Sequence, residues 1–440
     1  MREMTLQAIL EARDRRAENQ RRLLLLHACP VISFTMNIPG PVKNSPLIGR
    51  AFQVGLERLQ GLLAREGVTP LNPLLTNADT GCEYLCAVRG EASRLKAICE
   101  SIEDTEPLGR LFDMDVLDRY GEKLSRREPR GCLVCGAVGK GCASRRLHSV
   151  AELQQSVKQR LEAGLLAVDG ERIGTMVTEA LLDEVNTTPK PGLVDRNNSG
   201  SHRDMDFFTF VDSAAALAPH FRQMYLTGWD HALDDPAALF TRLRVLGQQA
   251  EADMFAATHG VNTHKGLIFS MGLLSGAFGA KQRQGSATLD SVLALCADMG
   301  RCALGDFATA PDTNGKRCYQ TYRLPGIRGE AAAGFPSAAA IGLPALRRWT
   351  EAGLSLNDAS LYALLTLLAQ VSDTNMIRRG GFATAEACRQ QAQALLDRIT
   401  PESLHQELLS LDQAYIAANL SPGGCADLLA LSLFLVFIEG

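Results

Sequence analysis

Five connections in the second half of the chain (residues 187–196, 197–206, 260–266, 326–331 and 421–427) combine charged side chains with glycine or small hydroxyl residues. Each abuts a helix-like run. Small residues at a helix start leave backbone N–H groups open, and the helix dipole favours an anion there. Lys190, Lys265 and Arg328 add cations for phosphate oxygens. Asp204 and Asp206, with Glu184 or Asp427, offer the carboxylate oxygens that Mg²⁺ takes, often shared with a substrate's phosphates. The chemistry suggested is that of a nucleoside triphosphate. Asn, Ser, Gly and Asp are also ordinary caps and turns, so one such loop alone reads as structural; five together point to a site. The usual signatures GxxxxGK(S/T), GxGxxG and HExxH are absent, so the site is of another kind.

In the first part of the chain, Gly109-Arg110-Leu111-Phe112-Asp113-Met114-Asp115-Val116 is the most pointed feature. On a strand, Asp113 and Asp115 share one face and Phe112, Met114 and Val116 the other. Adjacent carboxylates repel and suit Mg²⁺ on a nucleotide phosphate, with Glu83 a third ligand and Arg110, Arg50 and Lys43 phosphate contacts. The competing reading is an edge strand with a solvated acidic face. Cys132-x2-Cys135-x6-Cys142-x5-His148 has zinc-type ligands. Its spacing departs from common zinc-finger patterns, so reduced thiols in a loop-rich segment are the favoured reading there.

The elements that must carry these residues fall into two textures. Up to about residue 120, strands alternate with helices: residues 31–38 have apolar residues at every second position and stop at Pro39-Gly40-Pro41, residues 83–88 and 110–116 also alternate, and residues 47–66 place Phe52, Leu56, Leu59 and Leu63 on one helix face. From about 165 the helical period prevails, with runs at 172–185, 206–226, 267–278, 289–304, 361–371 and 386–399. The expectation is an α+β domain over 1–165 and a larger all-α domain over 166–440, joined by a helical segment.

Composition limits the function classes. With 440 residues and a net charge of −4, the chain has no basic footprint for nucleic acid. The amino-terminal apolar run is too short for a signal peptide, and the carboxyl-terminal run 428–438 is too short to cross a bilayer and reads as a buried helix. Twelve cysteines without a secretory signal read as reduced thiols in a cytoplasmic protein with no membrane role.

Glu184-Val185-Asn186-Thr187-Thr188-Pro189-Lys190-Pro191-Gly192-Leu193-Val194-Asp195-Arg196 resembles the opening motif of the triphosphoribosyl-dephospho-CoA synthases. Gly200-Ser201-His202-Arg203-Asp204-Met205-Asp206, Gly260-Val261-Asn262-Thr263-His264-Lys265-Gly266, Gly326-Ile327-Arg328-Gly329-Glu330-Ala331, Asp373-Thr374-Asn375 and Ser421-Pro422-Gly423-Gly424 extend the likeness in order. Two positions depart from that family: Asn314 stands where a histidine is common and Cys425 where a serine is, so neither carries essential acid–base chemistry here. The resemblance implies an all-helical fold and a glycosyl transfer. ATP gives its triphosphoribosyl group to the ribose 2′-hydroxyl of 3′-dephospho-CoA, and adenine leaves. For the needs of that reaction the candidates are Asp204 and Asp206 for Mg²⁺, His202 or Glu330 for proton transfer, and Lys190, Asn262, His264, Lys265, Arg328, Gly423 and Gly424 for the nucleotide.

Ser33-Phe34-Thr35-Met36-Asn37-Ile38-Pro39-Gly40, Gly49-Arg50-Ala51-Phe52, Thr80-Gly81-Cys82-Glu83, the Asp113/Asp115 segment and Cys132-Leu133-Val134-Cys135 leading to His148-Ser149 resemble the holo-citrate lyase synthases. That resemblance implies transfer of phosphoribosyl-dephospho-CoA to a serine of the citrate lyase acyl carrier protein, with pyrophosphate released and Asp113 and Asp115 acting at the phosphate. The product of one reaction is the substrate of the other. Three other readings stay open: prosthetic-group maturation of malonate decarboxylase, a hydrolase that uses water, and a non-enzymatic helical scaffold with a zinc-binding module.

Overall fold

A computed structural model describes residues 2–138, 142, 145–305 and 314–439, with only the backbone at 314–315. The chain divides into two compact units, Met1–Asp169 and Gly170–Gly440.

The first unit is α+β. Its helices are α1 (Leu6–His27), α2 (Pro46–Arg65), α3 (Ala92–Thr105) and the start of α4 (Val150–Asn186); its strands are β1 (Val31–Met36), β2 (Pro70–Ala78), β3 (Gly81–Val88) and β4 (Phe112–Leu117). The strands form one sheet in the order β2-β3-β1-β4, and every pair is antiparallel. Alternation sends Ile32 and Phe34 of β1, with Phe112, Met114 and Val116 of β4, into a core on one face. There Phe34 stacks on Phe52 at 4.6 Å and meets Phe112 edge-on at 5.4 Å. Gly55 makes this approach possible, because a Cβ there would lie 2.7 Å from Phe34 Cζ and 2.9 Å from Phe112 Cζ. The other face carries Val31, Leu85 and Ala87 beneath Leu23 of α1, and α1 adds a hydrogen bond from Gln20 Nε2 to Ser33 Oγ at 3.0 Å.

Strand β2 departs from the sequence reading, which placed no strand there. Pro70 and Pro73 cannot donate to a ladder, so they argue against a central strand. The structure accommodates them at the sheet edge, with an irregular register between Leu71 and Leu74 and Asn72 at φ 44°.

The second unit is all-helical. It contains the rest of α4, then α5 (Phe207–Asp230), α6 (Pro236–Ala257), α7 (Lys265–Arg283), α8 (Leu289–Leu304), α9 (Asn314–Tyr322), α10 (Gly326–Ala332), α11 (Leu343–Glu351), α12 (Leu356–Gln370), α13 (Thr374–Gly380), α14 (Phe382–Leu396), α15 (Leu404–Ala417) and α16 (Gly423–Glu439). The apolar carboxyl-terminal run forms α16, whose residues from Leu428 to Leu435 are buried. No helix among the described residues is long and apolar enough to cross a membrane.

Among the described residues, helices α5 and α7 approach each other closely. A Cβ on Gly228 would overlap the carbonyl of Gly276, and one on Gly279 would overlap the carbonyl of Tyr225. Backbone therefore meets backbone at both points. Around the crossing the Tyr225 ring lies 6.5 Å from Trp229 and 6.1 Å from Phe278, and all three are buried. Replacing Gly279 with Ala should push the helices apart and cost about 2–3 kcal/mol, as overpacking typically does. Urea denaturation of Gly279→Ala against wild type, compared with Gly247→Ala at an open position, checks this.

Candidate active sites

The loop after α4 folds back on that helix. Lys190, only 1% exposed, donates from Nζ to the Glu184 backbone carbonyl at 2.7 Å and also pairs with the Glu184 carboxylate. A buried ammonium needs such partners. Asp195 gathers the loop by accepting from the backbone N–H of Lys190 (2.9 Å), Asn197 (2.7 Å) and Asn198 (3.1 Å). Asp412 of α15 then ties it down, accepting from Gly192 N at 2.8 Å and Asn198 Nδ2 at 2.9 Å.

The loop borders a cavity of about 1300 Å³. Helices α7, α13 and α16 begin at its wall, with Lys265, Thr374 and Gly423 as their first residues. Glu184, Asp373 and Asp427 supply carboxylates. Burial raises the affinity of Glu184 for a proton, which Lys190 opposes. Burial first, then Glu184 and Asp373, hold Asp427 well above the usual carboxylate range. Asp373 caps α13, accepting from the N–H of Asn375 (2.7 Å) and Met376 (3.0 Å), and it also accepts from Cys425 N at 2.8 Å; burial nevertheless raises it. Gly266 gives room for this group, since a Cβ there would lie 2.8 Å from Asp427 Oδ2. Glu184, Asp373 and Asp427 thus form a buried acidic group on a wall that also carries Lys190, Lys265, Arg328, Arg378 and Arg379.

The histidines differ in environment. The His264 ring is buried, and its Nδ1 lies 2.7 Å from Ser213 Oγ, which itself accepts from Thr263 Oγ1 at 2.8 Å. Ser213 thus satisfies Nδ1, while the buried Nε2 has no hydrogen-bond partner among the described residues. Burial, then Lys190, lowers this imidazole to about 3, so it is neutral. His202 meets Ser421 Oγ through Nε2 at 2.9 Å and Arg379 through Nδ1 at 3.3 Å. Burial, then the Arg379 guanidinium, lowers its proton affinity too.

Of the residues expected from sequence, Lys190, His202, Asp204, Asn262, His264, Lys265, Arg328, Glu330, Gly423 and Gly424 all line this cavity. Lys265 pairs with Glu251. Glu330 accepts from Ser337 Oγ at 2.6 Å and Ser337 N at 3.1 Å. Asp206 does not line the cavity; it caps α5 through Thr209 N at 2.9 Å and Thr209 Oγ1 at 2.8 Å. Cys425 is buried, and burial followed by Asp373 keeps its thiol protonated; the Asn314 side chain lies outside the described residues. Sequence reasoning passed over Arg378, Arg379 and Arg244, which also line the cavity. The arginine pair follows Asp373-Thr374-Asn375 within one short helix, a usable signal; Arg244, inside α6, has none.

In the first unit, the register sets Glu83 of β3 and Asp113 of β4 on either side of Thr35, and Asp115 opposite Ser33. Side chains directly opposite share a face, so all three acids lie on the α1 side of the sheet. Burial, then Asp115, raises the Asp113 carboxyl although its residue is exposed. Arg16 of α1 pairs with Glu83 at 2.7 Å and Lys123 with Asp115 at 2.6 Å; neither cation was expected. Lys43 donates to the Ile38 carbonyl at 2.6 Å. Burial, then the charge of Arg13, lowers its proton affinity. Arg50 is committed to Asp169 at 2.6 Å and Arg110 to the Gly131 carbonyl. Cys132, Cys135, Cys142 and His148 converge, with ligand atoms all within 4.8 Å of one another.

Comparison with known proteins identifies the family of each half of the chain. The family of ATP:dephospho-CoA triphosphoribosyl transferases (CitG) matches residues 170–440, and that of apo-citrate lyase phosphoribosyl-dephospho-CoA transferases (CitX) matches residues 4–164. Protein CitXG of Haemophilus influenzae is 36% identical over 456 residues, covering 99% of this chain and 97% of that protein. Protein CitXG of Leuconostoc mesenteroides subsp. cremoris is 34% identical over 461 residues, covering 99% and 98%. A Streptococcus mutans protein, "Probable 2-(5''-triphosphoribosyl)-3'-dephosphocoenzyme-A synthase", is 39% identical over 282 residues, which are 60% of this chain and 95% of its own. The chain thus belongs to the CitXG family of citrate lyase maturation transferases, in which a phosphoribosyl-dephospho-CoA transferase precedes a triphosphoribosyl-dephospho-CoA synthase in one polypeptide.

Proposed function

We propose that the 170–440 cavity binds ATP and 3′-dephospho-CoA, and that its residues move the triphosphoribosyl group from adenine to the 2′-hydroxyl. The observation that carries this assignment is the gathering of carboxylates, cations and helix starts around one cavity of about 1300 Å³. Lys265, Arg328, Arg378 and Arg379 hold the triphosphate, aided by N–H groups at the start of α7 and α16. The neutral His264 donates Nε2–H to the bound nucleotide. His202, short of protons beside Arg379, takes the proton of the attacking 2′-hydroxyl. Glu330, fixed by Ser337, lies against the positive charge that develops on the ribose as adenine leaves.

The hard oxygen donors and mutual repulsion of Glu184 and Asp427 fit Mg²⁺, with Asp204 at the exposed rim. When bound, the ion neutralises charge on the triphosphate. Asp206 is left to cap α5.

In residues 1–169, the Asp113/Asp115 row is the proposed centre for attack of a carrier-protein serine on the α-phosphorus, with pyrophosphate as leaving group. Arg16, Lys43 and Lys123 are the cations for that phosphate chain, and Asp113, whose carboxyl is raised, accepts the serine proton. A cytoplasmic location fits a protein whose substrates are ATP and dephospho-CoA.

The first test is adenine release from Mg-ATP by the purified full chain, followed by chromatography. It should require 3′-dephospho-CoA; no adenine with or without it would sink the assignment, and release without it would mark a hydrolase. Asp427→Asn should slow release by roughly 10²–10³-fold, the scale of losing one electrostatic stabiliser, while Asp206→Asn, which keeps a capping side chain, should stay within about twofold. An Asp206→Asn variant that folds but loses activity would return the metal to that residue.

The two halves should also separate. Asp113→Asn is expected to keep adenine release and to lose the mass increase of apo acyl carrier subunit incubated with enzyme, ATP and dephospho-CoA. Full modification of the carrier by this variant would remove Asp113 from the reaction.

A further inference from the structure

We propose that Cys132, Cys135, Cys142 and His148 bind a single Zn²⁺ in a closed structural site that fastens the segment between β4 and α4. The sequence spacing favoured unengaged thiols; the geometry does not. Cys135 Sγ lies 3.5 Å from Cys142 Sγ and 3.3 Å from His148 Nε2, and all four ligand atoms fall within 4.8 Å of one another. Three thiolates and an imidazole are a zinc donor set, and four protein ligands leave no position for a substrate.

The backbone around the first two cysteines is shaped for this. Gly136 N donates to the Cys132 carbonyl at 3.0 Å and Cys132 N to the Ala137 carbonyl at 2.8 Å, closing a tight turn. Within it, Val134 N–H points at Cys132 Sγ from 3.5 Å, and an N–H aimed at sulfur favours thiolate over thiol. Gly136 has φ +73°, where glycine is favoured, and a Cβ on Gly131 would strike the Gly136 carbonyl. The turn is anchored to α4, since the Leu133 carbonyl accepts from Ser156 Oγ at 2.7 Å and Arg160 at 3.2 Å.

Polar tethers hold the segment at both ends, as where Arg126 pairs with Asp104 at 2.6 Å, but its described residues have almost no apolar core. Among the described residues of 118–149, Leu133 alone of the apolar side chains is buried, at 7% exposure, whereas Tyr120, Val138 and Leu147 are 75%, 71% and 59% exposed. So long a connection without a core calls for a cross-link or a metal. Binding releases a proton from each cysteine that is still a thiol.

The test uses the full chain purified without chelator. Elemental analysis should find about one zinc per chain, released in step with titration by a mercurial reagent. Cys135→Ser and His148→Ala should lower the zinc content more than tenfold, and Cys302→Ser, in the other unit, should retain it. Misfolding of those variants is met by a second measurement on wild type. Protein stripped by a mild chelator should be cut by trypsin within 118–149, and zinc chloride alone should restore protection. Cobalt(II) chloride should give the bands of a tetrahedral thiolate site. Three results overturn the proposal: under about a tenth of an equivalent of zinc with no uptake of added zinc or cobalt, zinc retained in both variants, or a non-reducing thiol count short by a Cys135–Cys142 disulfide.

Discussion

An ammonium withdrawn from water must be paired, and the loop after α4 is arranged around that requirement. Lys190 reaches Glu184 only if the chain reverses just beyond the helix, and Asp195 and Asp412 hold the reversal by collecting its backbone N–H groups. The same fold-back carries Ser201 to the Leu420 carbonyl at 2.6 Å, which brings His202 beside Ser421 at the entry to α16. The pair thus does more than neutralise a charge. It fixes the spacing between the amino-terminal loop of the helical unit and the start of its last helix, and both supply walls of the cavity. Removing one member alone would leave an uncompensated buried charge, a much larger penalty than the net worth of the pair.

Charge in the two units is arranged by different means. In the helical unit, burial raises Glu184, Asp373 and Asp427, and the first two add to the shift at Asp427. In the α+β unit, β-sheet register does the same work: adjacent strands bring Glu83 and Asp113 to the same cross-strand row, and cations from α1 and from beyond β4 moderate them. Tertiary packing builds the first constellation and local hydrogen-bonded geometry the second.

That difference governs how much was legible in the residues. The period-two pattern of β1, β3 and β4 and the shared face of Asp113 and Asp115 follow from strand geometry alone. So does the amphipathic α2, whose Phe52, Leu56, Leu59 and Leu63 are buried. Glycine- and charge-bearing loops at helix starts could be read as a set, and most of them meet at one cavity. Other features needed three dimensions. Strand β2 was hidden by its prolines. Asp204-Met205-Asp206 looks uniform in sequence, yet one carboxylate faces the cavity rim and the other closes a capping box. Arg244 sits mid-helix with nothing nearby to mark it. The thiols and imidazole at 132–148 are spaced unlike common zinc fingers, because their meeting depends on a turn at Gly136 rather than on a repeated interval.

The contact of α5 with α7 has a kinetic consequence. Where Gly228 meets Gly276 and Gly279 meets Tyr225, main chain lies against main chain with no side chain between. Water cannot reach those amides through side-chain motion alone; the helices must part. Their deuterium uptake would therefore report opening of the whole helical unit, while edge elements such as β2 exchange by local fraying.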